Sequence, residues 1–103
     1  MSKITIIATL TAAEGKVDEL IAGLEALIQA ADEEPGLEVY SLHQDPENPG
    51  TLYFFEVYAD EDAFAVHGKG EKMAAAMGAL GGLLGGRPDV KTLTPVAAKG
   101  LDI

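Results

Sequence analysis

Residues 51–67 read TLYFFEVYADEDAFAVH, and this stretch decides the fold. From Thr51 to Ala59 it is dense in aromatic and β-branched side chains, which suit a pleated, well-covered strand. Asp60-Glu61-Asp62 then breaks the run with carboxylates that can accept the free backbone N–H groups of a helix start and complement its dipole. Ala63, Phe64 and His67 follow on one side of a helical turn. The strand is apolar on both parities, with Tyr53, Phe55 and Val57 on one and Leu52, Phe54 and Tyr58 on the other. Glu56 is the single acid that interrupts the second. A strand apolar on both faces needs cover on both.

Working outward, Leu37 to Gln44 predicts a strand before this one, joined to it by the polar turn Asp45-Pro46-Glu47-Asn48-Pro49-Gly50. So short a turn makes the two strands antiparallel neighbours. Further upstream, Val17, Leu20, Ile21, Leu24, Leu27 and Ile28 recur at three- and four-residue spacing, an amphipathic helix that must stop before Pro35-Gly36. Its apolar stripe has to lie on a sheet. Lys3 to Leu10 is β-branched and partly alternating, which describes a first strand better than an export signal.

Downstream, the helix that begins near Glu61 is expected to kink or break around His67-Gly68-Lys69-Gly70, since glycine costs roughly 1 kcal/mol against alanine in a helix interior. It resumes with Met73, Met77, Leu80 and Leu84 on one stripe. Val90 to Ala98 predicts a last strand, with Pro95 placing part of it at an edge. Strand, helix, strand, strand, helix, strand, with short connections and right-handed crossovers, gives a ferredoxin-like split βαβ of the α+β class. In it a four-stranded antiparallel sheet carries both helices on one face. A second copy of the chain is the simplest cover for the other face, so a homodimer is expected.

Composition narrows the function classes. A chain of 103 residues has room for one domain, 1–103, with a modest core. Without cysteine, disulfides, thiolate catalysis and Cys-ligated metal are excluded. A formal charge of −10, from 17 acids against 7 bases, argues against nucleic acid or an anionic membrane surface as partner. The apolar stretch Met73 to Gly86 falls short of the ~20 residues of a membrane span and is rich in glycine. A soluble, cytoplasmic protein is the expectation.

The succession Glu34-Pro35-Gly36-Leu37, Tyr40, His43-Gln44-Asp45-Pro46, Tyr53-Phe54-Phe55-Glu56-Val57-Tyr58 and Phe64-Ala65-Val66-His67 resembles the antibiotic biosynthesis monooxygenase family over roughly residues 3–97. The resemblance implies a dimeric α+β barrel with a pocket between each sheet and its helices. Its members include small monooxygenases that oxidise quinols or polyketide phenols with dioxygen and without metal, flavin or haem. Haem-degrading relatives use a tryptophan and an asparagine near the first strand; this chain has no tryptophan, and its only asparagine, Asn48, lies in a turn. The family is mixed in activity, so the fold transfers further than the function.

Cofactor-free oxygenation needs an electron-rich substrate, usually a phenol or quinol anion. The protein must take a proton, hold the anion and exclude water. His67 is the first candidate base, by virtue of its position in the family pattern and the near-neutral pKa of imidazole; the alternative is that it ends a helical segment on a backbone hydrogen bond. Glu56, costly to bury unpaired, is the second catalytic candidate, to orient His67 or to pair across the dimer. The alternative for Glu56 is an interface ion pair or a hydrogen bond to a tyrosine. Tyr40, Tyr58 and His43 are substrate-binding candidates, with Tyr40 and His43 on opposite parities, so that at most one faces the pocket. Phe54, Phe64, Met73 and Met77 complete the candidate wall or are plain core. Two readings remain open: a cofactor-independent monooxygenase of a small aromatic, or a small-molecule binding module or isomerase on the same barrel.

Overall fold

In the computed structural model, residues 3–69 and 71–102 are described, with the backbone alone at 66–69, 71–74 and 77. The chain runs β1 (Ile4–Thr11), α1 (Val17–Ala30), a 3₁₀ turn (Ala31–Glu33), β2 (Leu37–Gln44), β3 (Thr51–Tyr58), α2 (Glu61–Lys69), α3 (Glu71–Leu80), a second 3₁₀ turn (Gly81–Leu83) and β4 (Asp89–Leu93). The sheet order is β2-β3-β1-β4, and every neighbouring pair is antiparallel. This is the ferredoxin-like split βαβ: β3 separates β1 from β2, and β1 separates β3 from β4.

The turns and helix starts follow from side chains near each end. Asp45 Oδ1 accepts the backbone N–H groups of Glu47 (2.9 Å) and Asn48 (3.3 Å), which folds the β2–β3 connection. Gly15 takes φ +76, the left-handed turn that lets β1 leave the sheet for α1. Asp60 Oδ1 accepts the Ala63 N–H at 2.8 Å and so caps α2. Separate helices, α2 and α3, flank Gly70, where the glycines predict a break.

Alternation sorts the sheet into two faces. Ile6, Ala8 and Leu10 of β1 lie beside Glu56, Phe54 and Leu52 of β3, and Tyr40 and Leu42 of β2 line up with Glu56 and Phe54. This face carries the core. Leu20 and Leu24 of α1 and Leu80 of α3 close on Ala8, Leu10, Leu52 and Phe54, while Ala63 and Phe64 of α2 close on Ile6, Leu37 and Tyr58. The opposite face presents Ile7, Val39, Tyr53 and Phe55, each only partly buried.

Two details depart from the sequence expectation. The last strand ends at Leu93, two residues before Pro95, rather than continuing to Ala98; proline has no N–H to contribute to a ladder. In β2, the register shifts between Leu37 and Val39, so that Leu37 and Tyr40 both reach the helix-covered face although they are three apart. Among the described residues, no helix is long and apolar enough to cross a membrane.

Candidate functional site

Glu56 stands at the centre of the helix-covered face, between Ile6 of β1 and Tyr40 of β2, and is 7% exposed. An unpaired carboxylate in such a place is costly. Tyr58, two residues along and on the same face, donates its hydroxyl to Glu56 Oε1 at 2.5 Å. Around this pair the rings lock together. Tyr40 stacks on Phe54 with centroids 4.6 Å apart and planes 18° from parallel, and Phe64 meets Tyr58 edge-on at 5.3 Å.

The hydroxyls of Tyr58 and Tyr40 are shifted the same way. Burial pushes the Tyr58 hydroxyl far above the usual tyrosine range; the hydrogen bond to Glu56, the charge of Glu56, Tyr40 and the charge of Glu34 add to it. Tyr40 is raised in the same way, by burial first and then by Glu56 and Glu34. Both phenols therefore stay neutral over any working pH and keep their protons for hydrogen bonding.

A cleft of about 250 Å³ opens beside this cluster, between residues 33–37 and the Asp62-Ala63 start of α2. Its walls include Leu37 and Ala63, which also pack in the apolar cluster that holds Tyr58. Gly36 fixes how closely the two sides approach: its carbonyl accepts the Ala59 N–H at 2.8 Å, and a Cβ built on it would sit 2.5 Å from the Ala63 Cβ. Gly36→Ala is accordingly expected to push α2 outward and cost about 1–3 kcal/mol of stability. Thermal melting checks this; an unchanged melting temperature would mean that the start of α2 gives way freely.

Of the residues predicted for the site, the fold brings Glu56, Tyr40, Phe54, Tyr58 and Phe64 together. His43 is placed elsewhere: it is exposed on the opposite sheet face, with Nε2 2.9 Å from Ser41 Oγ. His67 belongs to α2, and Met73 and Met77 to α3, but their side chains lie outside the described residues. Sequence reasoning missed the electrostatic part of Glu34. It sits in the Glu34-Pro35-Gly36 turn that leads into β2, close enough for its charge to act on both tyrosines. Among the described residues, no three His, Asp or Glu side chains are grouped as metal ligands.

A ferredoxin-like α+β sheet with a buried carboxylate and an aromatic cluster under its helices defines the structural class. Residues 3–79 match the family model described as antibiotic biosynthesis monooxygenase, and the chain belongs to that family. Solved structures agree over nearly the whole chain. The protein PA3566 from Pseudomonas aeruginosa is 30% identical with a TM-score of 0.84, covering 94% of this chain and 97% of that one. A Caulobacter crescentus protein provisionally described as an antibiotic biosynthesis monooxygenase is also 30% identical, with a TM-score of 0.86 over 93% of this chain and 92% of its own. Protein SO0527 from Shewanella oneidensis is 28% identical, with a TM-score of 0.86 and 94% coverage of each chain. Among curated proteins, none matches the chain.

Proposed function

We propose that the chain is a cofactor-independent monooxygenase of a small quinol or polyketide-like aromatic, acting as a cytoplasmic homodimer. The observation that carries this reading is the buried Glu56 carboxylate, held by Tyr58 among the rings of Tyr40, Phe54 and Phe64. A carboxylate at such a site can take the proton of a bound phenol in a place from which water is largely excluded. The ring, now an electron-rich anion, reacts with dioxygen: a quinol and O₂ give a hydroxyquinone and water, the substrate supplying all four electrons. Glu56 acts as the base, with His67 of α2 as the second candidate. Phe54 and Phe64 wall the ring, and Tyr40 offers a hydroxyl to substrate oxygen. Tyr58 serves Glu56 rather than the substrate, and His43, on the other sheet face, is left out of the pocket.

Oxygen uptake tests this reading. Purified, colourless, metal-free protein should consume dioxygen with a small quinol well above the rate of spontaneous oxidation. No uptake across a panel of quinols would abandon the oxygenase in favour of a binding module.

The homodimer rests on the second sheet face, where Ile7, Val39, Tyr53 and Phe55 stand partly exposed in one copy of the chain. Sedimentation at micromolar concentration should give twice the 10.7 kDa chain mass. A stable monomer would overturn the sheet-on-sheet arrangement.

A further inference from the structure

We propose that Tyr58 is a positioning residue for Glu56: its hydroxyl favours the ionised carboxylate, the form that can accept a proton. The proposal rests on the reading of Glu56 as the base and goes beyond it by naming what sets the pH at which that base works. Tyr58 and Glu56 are two residues apart on β3, so their side chains leave the same face of the sheet. Both are buried, and the hydroxyl donates to Glu56 Oε1 at 2.5 Å. Phe64 meets the Tyr58 ring edge-on, and the ring shares its apolar cluster with Ile6, Ala31 and Leu37. Packing on that scale leaves the ring little room to swing its hydroxyl away from the carboxylate.

A hydrogen bond donated to a carboxylate favours its charged form, and at a buried site water does not replace the donor once it is removed. The effect is mutual: burial first, and then this same bond, push the Tyr58 hydroxyl up. A hydroxyl that keeps its proton over any working pH is a permanent donor and never a competing base. Tyr40 of β2 and Glu34, in the turn before β2, also act on Tyr58, whereas Ile6 of β1 and Ala63 and Phe64 of α2 bring no titratable group to it. These neighbours, and the helix side chains outside the described residues, are common to the natural chain and to a variant at position 58. The difference between the two proteins therefore isolates the hydroxyl. Without it, Glu56 holds a proton up to higher pH and is the poorer acceptor below its new midpoint.

Carbon-13 NMR of the Glu56 side-chain carboxyl follows its protonation in the whole chain without ligand, the signal being assigned by its loss in Glu56→Gln. Tyr58→Phe keeps the ring and is expected to move the midpoint up by about one pH unit, a tenfold gain in proton affinity, which is the scale of one hydrogen bond to a charged group. A ring-fluorinated tyrosine placed at position 58 is a stronger donor of nearly the same volume, and it should move the midpoint down. It also carries the test if Tyr58→Phe folds poorly. A midpoint that follows donor strength in the folded variants supports the proposal; one that stays put, or moves the opposite way, overturns it. Oxygen uptake is scored apart. An acid limb of the rate that rises with the midpoint ties Tyr58 to the reaction. A shifted midpoint with no uptake, or with a limb that stays put, sinks the reading of Glu56 as base and leaves its coupling to Tyr58 standing. Uptake at the full rate with an unmoved midpoint sinks only the role of Tyr58.

Discussion

Glu56→Gln is expected to lower oxygen uptake by about 10²–10⁴-fold, the usual contribution of a positioned base, while leaving the fold in place. Glutamine has nearly the volume of glutamate, and its carbonyl can still accept the Tyr58 hydroxyl, so the aromatic cluster keeps its packing. What disappears is the basicity. Exchanging a buried carboxylate for a neutral amide also relieves a desolvation cost, so the variant should melt at the same temperature or slightly higher. That pairing of lower rate with undiminished stability is what separates a working base from a structural hydrogen bond. A fall in both would assign Glu56 to the scaffold. An unchanged rate would mean that the substrate ionises by itself, leaving the protein to supply a dry, shaped pocket. His67→Gln is the matched control: if His67 takes the proton, its neutral form is the active one, so oxygen uptake rises with pH, and that limb should vanish only in the His67 variant.

The second large effect concerns stability. Leu52 of β3 has no exposed surface; it lies beside Leu10 of β1 and packs in one cluster with Leu20 and Leu24 of α1. Leu52→Ala removes three heavy side-chain atoms from the layer where sheet meets helix and leaves a cavity. A loss of about 3 kcal/mol follows from comparable core truncations. For a domain of this size that is on the order of 15 °C in melting temperature. The comparison must be made at fixed protein concentration, because association adds to the apparent stability of a dimer. A shift under about 3 °C would mean that α1 settles onto the sheet and fills the void.

Most of the sheet was legible in the sequence because its strands announce themselves by composition and by strong boundaries. Leu37–Gln44 and Thr51–Tyr58 are bracketed by Pro-Gly and Asp-Pro turns, and the two parities of β3 point to a sheet with something on each side. Alternation also separated Tyr40 from His43 correctly. Less of the site was legible. A hydrogen bond from a tyrosine to Glu56 was one of the readings the sequence left open, but the spacing could not single out Tyr58, since i and i+2 on a strand share a face whether or not their tips meet. Glu34 was invisible for a different reason: its influence on two tyrosines depends on how a turn sits in space, which no periodicity encodes. The length of β4 was overestimated because the apolar residues Val96, Ala97 and Ala98 look like a continuing strand. Val96 is instead 94% exposed.

The register shift between Leu37 and Val39 has a consequence for anyone aligning relatives of this chain. Position counting along β2 is reliable only on one side of Glu38. A relative whose strand lacks the extra residue will keep strict alternation, and an ungapped alignment will then match Tyr40 to a side chain on the far side of its sheet. Whether a homologue has a tyrosine beside its buried glutamate can therefore be judged only after a one-residue gap at position 38 has been considered, and a missing Tyr40 in an ungapped column is no sign of a lost pocket.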